Sequence, residues 1–186
     1  MIRAIIRHWL PLAVVITGLC GLVYAAGQQA LRLGGNDPQM QMAQDAASRL
    51  SAGEPLASVA PTRTLDVGAS LAPFTIVYDE AGSVLAASGQ LHEQTPSLPS
   101  GVLDSVRQHG EDRISWQPEP GTRYAAVVER VSGAQPGFVL VARSLRETER
   151  RIGVIQSLAL AGGLALLAAS LVAVAVVEVI LPAAKK

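Results

Sequence analysis

The sequence predicts an α+β protein in which an antiparallel five-stranded sheet with flanking helices is set between two transmembrane helices. Three observations lead there. Two runs free of charge, Trp9–Ala26 and Ile152–Val177, lie near the two ends of the 186-residue chain. Between them, helical and strand patterns alternate across clusters of turn residues. The composition is 49% hydrophobic with 17 glycines besides, and charged residues are 16% against roughly 25% in soluble chains.

The same arithmetic excludes several classes. The formal charge is zero and the only lysines are Lys185 and Lys186, so there is no clustered basic surface for a nucleic-acid backbone. A single Cys rules out a disulfide framework within the chain and any zinc site of several cysteines. No cofactor motif is present.

Residues 1–8 are expected in the cytoplasm and 9–27 as the first transmembrane helix. Its 18 uncharged residues span about 27 Å, enough for a hydrocarbon core. A secretory signal peptide with a cleavage site at Val23, Tyr24 and Ala25 is the rival reading, against which the apolar run is longer than a signal's usual roughly 7 to 15 residues. Cys20 follows Leu19, not the small residue a lipobox needs, and reads as a membrane-embedded thiol. The second span, 152–181, is long enough to cross with some tilt. Arg3, Arg7, Lys185 and Lys186 flank the outer ends. Arg143, Arg146, Arg150 and Arg151 crowd the other end of the second helix, but they belong to a long segment whose charges weigh less in orientation. Both termini, with the tail 182–186, are therefore placed in the cytoplasm, the membrane is the inner membrane, and 28–151 is extracytoplasmic.

That segment carries 11 Arg against 14 Asp and Glu. Asp37 and Pro38 read as N-cap and first residue of a helix with Met42, Ala43, Ala46, Ala47 and Leu50 on one face and Gly53 as its stop. A loop is expected from Gly53 to Ser70. A hairpin follows, Phe74–Tyr78 and Ser83–Ala87, turning at Asp79–Gly82. Ser100 is expected to cap a short helix bearing Val102, Leu103 and Val106 and ending at Gly110. Three strands come next, Arg113–Gln117, Thr122–Val131 and Phe138–Ala142. Tyr124, Ala126 and Val128 point one way and Ala125, Val127 and Val131 the other, so the sheet needs cover on both faces. The first helix covers one; the short helix and its loops cover the other, where a small ligand would fit.

The stretches LAPFTIVYDEAGSVLAASGQL, LPSGVLDSVRQHGEDRISWQP, TRYAAVVERV and GFVLVARSLRETERR resemble the PAS-like (Cache-type) extracytoplasmic domain of bacterial sensor histidine kinases. The resemblance covers roughly Asp37 to Ile152 and rests on the order of elements. It implies a PAS-like sheet and a sensory role. Pro182 in VILPAAKK stands where that family opens a HAMP linker, followed in the family by a kinase core; here the chain stops. The expectation is a module without its own effector, a natural helper or a truncated kinase, acting through lateral helix contacts.

The candidate ligand residues are Tyr78, Arg113, Trp116, Arg123, Tyr124 and Arg130, since Arg grips a carboxylate or phosphate with paired bonds and the aromatic rings stack on apolar ligand bodies. The bland alternative is core filling for the aromatics and a solvated face for the arginines. His92 and His109 lack a second ligand at metal-binding spacing, so no metal is expected, and no nucleophile-elbow context supports catalysis. Candidate helix-packing stripes recur every four residues: Ala13, Thr17, Gly21 and Ala25, then Ala161, Ala165, Ala169 and Ala173, with Gly162 and Gly163 alongside. They would pair the helices with each other, with a second copy or with a partner. Arg146 with Arg150 and Glu147 with Arg151 sit at i, i+4 on a helix running unbroken from the last strand into the membrane. Glu178, near the cytoplasmic end, is expected to snorkel.

Function is thus read as a membrane-anchored sensory or ligand-binding module, not an enzyme, whose partners are the lipid bilayer, a small-molecule ligand and a second copy or signalling protein in the membrane. The alternative is a structural or assembly subunit whose exported domain binds another protein through a filled core and an apolar patch. An enzyme without a recognisable motif is a third reading.

Overall fold

A computed structural model describes residues 2–33, 37–61, 65–133 and 135–183. Lys185 and Lys186, used above for orientation, lie outside the described residues, as do the side chains of Asp37 and Pro182. The element order is α1 (Ile2–Leu33), α2 (Asp37–Ser51), α3 (Leu56–Val59), β1 (Leu65–Asp66), β2 (Phe74–Asp79), β3 (Val84–Ala87) and β4 (Gly89–Gln90). Then follow α4 (Val102–His109), β5 (Glu111–Glu119), β6 (Thr122–Val131), β7 (Gly137–Ser144) and α5 (Arg146–Ala183). The chain divides into two compact units, Arg32–Glu149 on one hand and Met1–Leu31 with Arg150–Lys186 on the other.

The first unit is α+β. Its five-stranded antiparallel sheet runs β3-β2-β7-β6-β5, so β7, last in sequence, lies at the centre. Gly137 to Ala142 are all buried, which is why β7 reads as an unbroken apolar run and not as an alternation. Ile76 pairs with Leu140, Val127 with Val141 and Trp116 with Tyr124. This register gathers Phe74, Ile76, Tyr78, Trp116, Tyr124, Ala126, Val128, Phe138, Leu140 and Ala142 on one face, covered by Val102 and Val106 of α4 and by Val67 and Leu91. The other face, with Val77, Val127, Val131, Val139 and Val141, is covered by Ala43, Ala46 and Ala47 of α2 and by Val59 and Ala60. Alanines on α2 let its backbone approach the sheet closely.

Several local expectations change. Ala43, Ala46 and Ala47 of α2 are buried and Leu50 packs beside them as expected, but Met42 is 41% exposed and Gln39, one turn before Ala43, is buried in its place. The segment expected as loop contains α3 and β1; β1 pairs in parallel with β4, Leu65 opposite Gly89. Ser100 does not cap α4. Gly101, with φ of 87°, occupies the N-cap and supplies no side-chain bond, while Gly110, with φ of 88°, ends the helix as expected.

In the second unit, α1 and α5 are each long and apolar enough to cross a membrane, with mean hydropathies of 2.0 and 2.5. Leu10, Leu19, Leu22, Leu158, Leu164 and Val172 point outward and are more than half exposed. Half-buried residues of α1, Trp9, Ala13, Ile16, Cys20 and Tyr24, turn to Ile155, Ala159, Gly163, Leu167 and Ser170 of α5. The pairing is antiparallel: Trp9 Nε1 donates to Ser170 Oγ at 3.0 Å, and a Cβ placed on Gly163 would lie 3.3 Å from Cys20 Sγ.

That approach generates a prediction. A Cβ on Gly163 would stand 3.7 Å from Cys20 Cβ, inside the window of a disulfide. Gly163→Cys is expected to form an intrachain disulfide with Cys20 on mild oxidation in lipid, read as loss of both thiols in a monomeric band. Ala161→Cys, on the outward side, should give none. A Gly163→Cys chain that stays reduced, or crosslinks only between copies, contradicts the packing.

Candidate functional site

The face of the sheet under α4 carries a groove of about 450 Å³, walled by the β2–β3 turn, the Thr95–Gly101 segment and α4. Burial of Val102 and Val106 fixes the helix on the sheet and turns Leu103, Asp104 and Arg107 toward the groove. Tyr78, 4% exposed, contributes from β2. Its hydroxyl has no hydrogen-bond partner among the described residues, and burial holds its pKa well above the ordinary phenol range. Val84 and Leu98 add apolar wall.

Arg107 is the anchor of this edge. Its guanidinium lies over the Phe138 ring, 5.0 Å from the centroid, bonds Asp104 within α4, and donates to the Glu80 carbonyl at 2.6 Å. Arg130 donates to Glu80 Oε1 and to the Arg107 carbonyl, each at 3.1 Å. The β2–β3 turn, α4 and the end of β6 are thereby tied at the groove's rim. Arg107, Asp104 and Glu80 were not among the sequence candidates. The signal available was the Asp104–Arg107 i, i+3 spacing; the cation over Phe138 joins residues 31 apart and leaves no local trace.

The six sequence candidates do not form one site. Tyr78 lines the groove and Arg130 stands at its rim. Trp116 and Tyr124 fill the core, with Phe74 5.2 Å from Tyr124 edge-on and Trp116 5.6 Å from Tyr124. Tyr124 is fully buried, its hydroxyl is unpartnered among the described residues, and its pKa is pushed up to about 12 by burial and then by the Glu119 carboxylate. Arg113 pairs with Glu111 at 2.7 Å and Arg123 with Glu149 at 2.9 Å, both exposed.

The packing stripes also separate. Ala13 faces α5, Thr17 and Gly21 line a groove of about 340 Å³ between the helices, and Ala25 is exposed. Ala161, Ala165, Ala169 and Ala173 lie on the outward side of α5, away from Gly163 and Leu167.

The two histidines of the sheet unit serve local structure. His92 and Glu93 form a two-residue turn with φ of 51° and 63°, and His92 Nε2 lies 2.9 Å from Glu119. His109 Nδ1 is 3.0 Å from the Ser105 carbonyl oxygen. Among the described residues no three His, Cys, Asp or Glu side chains converge as a metal site.

A second cavity, about 460 Å³, opens on the α2 face beside the α2–α3 turn. Its one charged lining residue, Glu54, is already held by Arg49 at 2.8 Å and Ser58 at 3.1 Å. On the same face, Glu129 sits directly across from Glu111 on β5; burial first, and then Glu111, raises its carboxyl above the ordinary range.

Comparison of the chain with protein-family models, curated proteins and solved structures returns no match.

Two expectations follow. Tyr124→Ala should cost about 3–5 kcal/mol, as for other buried aromatics. Tyr124→Phe, which removes only an unpartnered hydroxyl, should be neutral or stabilising in thermal unfolding. For Glu129 the folded chain holds its proton more tightly than the unfolded one, so stability is fully present below the unfolded pKa and falls as pH rises through the raised folded value. Glu129→Gln should therefore raise the thermal midpoint at pH 7 by about 1–4 °C and remove that part of the pH dependence.

Proposed function

We propose that this chain is a PAS-like (Cache-type) sensory module, extracytoplasmic and held in the inner membrane by α1 and α5, that binds a small molecule in the α4 groove. The signal passes through α5 to a signalling partner by lateral helix contacts. The observation that carries this reading is the groove itself, about 450 Å³ of open space on the covered face of the sheet, with a cation and a buried tyrosine at its wall. Its volume suits a small metabolite. Within the five-stranded sheet, the hairpin β2–β3, then α4, then β5, β6 and β7, with β2 and β7 adjacent, supports the resemblance. So does the junction of β7 and α5, where Arg143 donates to the Leu71 carbonyl at 3.2 Å and Arg146 to that of Gly68, binding the start of the helix to the β1–β2 loop.

A second reading, an assembly subunit that binds another protein, is favoured by Leu85 of the edge strand β3, which is 48% exposed and lies outside the α4 groove.

The full-length chain in nanodiscs, screened against small metabolites and inorganic ions by thermal unfolding, separates the two. A ligand of the groove should raise the midpoint by several degrees at saturating concentration. Ser97→Trp, at an exposed position on the wall, should abolish that shift without moving the unliganded midpoint. A shift that survives Ser97→Trp, or a screen with no response, removes the sensory reading. The assembly reading predicts instead that Leu85→Asp, outside the α4 groove, changes the size of the native membrane complex and leaves the midpoint in place.

A further inference from the structure

Glu178 is the only charged residue between Ile152 and Ala183. A carboxylate on so apolar a helix is costly unless paired, and α1 supplies the partner: His8 Nδ1 lies 2.6 Å from Glu178 Oε1. The Glu178 side chain is 22% exposed and that of His8 51%. The adjacent Trp9 makes a second polar link to the same helix, donating to Ser170 Oγ at 3.0 Å and to the Leu167 carbonyl at 3.3 Å. Two successive residues of α1 thus hold α5 by polar contacts. Arg3 and Arg7 on α1 are the other charged groups at this end among the described residues; between Ile152 and Ala183, α5 presents none besides Glu178.

We propose that His8 and Glu178 form a proton-controlled clasp between the two helices, tight when the imidazole is protonated and looser when it is not. Histidine is the side chain that changes charge between pH 5 and 8. With an imidazolium the contact is a neutral ion pair. With a neutral imidazole the carboxylate keeps at most a hydrogen bond from a neutral donor, a weaker contact than the charge-assisted one, and it gains by turning toward water and away from α1. The Trp9–Ser170 contact carries no titratable group in this range, so it holds the pair in register while the clasp opens. The proposal rests on the reading that α1 and α5 cross a bilayer side by side.

The test uses the full chain with Cys20→Ser in zwitterionic nanodiscs, spin-labelled at Ile6→Cys and Val179→Cys, both of which point outward. Distance distributions are recorded near pH 5 and pH 8.5, at the two ends of the histidine range. The expected result is a narrow distribution at the lower pH that broadens and shifts to longer distance at the higher one, and that becomes pH-independent in His8→Gln and in Glu178→Gln. A distribution that ignores pH in the parent, or a pH response that survives both substitutions, overturns the clasp. The Cys20–Gly163→Cys disulfide, formed separately, tells the two levels apart. If it forms while the labels ignore pH, only the clasp fails; if it does not form, the side-by-side pairing fails and the clasp with it.

Discussion

A sheet that is apolar on both faces needs cover on both, and most of the α+β unit follows from that constraint. β7 is buried along its first six residues, so the strands beside it, β2 and β6, are forced to bury both of their faces as well. One face takes α2, whose Ala43, Ala46 and Ala47 pack on it, with a cavity left at the end of the helix beside the α2–α3 turn. The other face takes an eight-residue helix, too short to span five strands. The loops before α4 complete the cover, and a loop cover leaves space. The groove is a consequence of that cover, lying where α4 gives way to the Thr95–Gly101 segment and the β2–β3 turn.

The strand pattern of this unit was legible because β-branched and aromatic residues alternate between clear turn signals, as at Asp79–Gly82. What eluded the sequence is held by tertiary contacts. α3 is four residues long and exists because Val59 and Ala60 join the core; β1 is two residues long and is held by Leu65 N–H donating to the Ser88 carbonyl at 2.8 Å. Neither length can generate a periodic signal. The candidate site was legible only in part. Tyr78 belongs to it, but Trp116 and Tyr124 were drawn into the core by Phe74, and each arginine found a carboxylate whose proximity depends on register or on a helix start.

The helices show the same limit in another form. An alanine-rich segment offers small residues on every side, so spacing alone does not choose the face that packs. Gly163 chooses it, because it alone lets Cys20 approach, and Glu178 and Ser170 fall on the same side as polar partners for His8 and Trp9. Glu178, part-exposed near the end of α5, meets a histidine at the start of α1. Charge satisfaction, not small-residue periodicity, is the sharper guide to register in such a pair.

These features bear on how a groove could speak to a helix. Phe138, under the Arg107 guanidinium, is the second residue of β7, and Ser144, two residues before α5 begins, is its last. The strand between them is hydrogen-bonded on both sides, to β2 and to β6, so it resists bending and moves only with its neighbours. A ligand that drew Arg107 from Asp104 or lifted it from Phe138 would act on the one strand that continues into α5. Any displacement then meets Arg143 and Arg146, which grip the β1–β2 loop and hold the first turn of the helix to the sheet unit. Under the sensory reading, the route from ligand to α5 is a single central strand. The resistance such a signal meets is a pair of arginine contacts to backbone carbonyls.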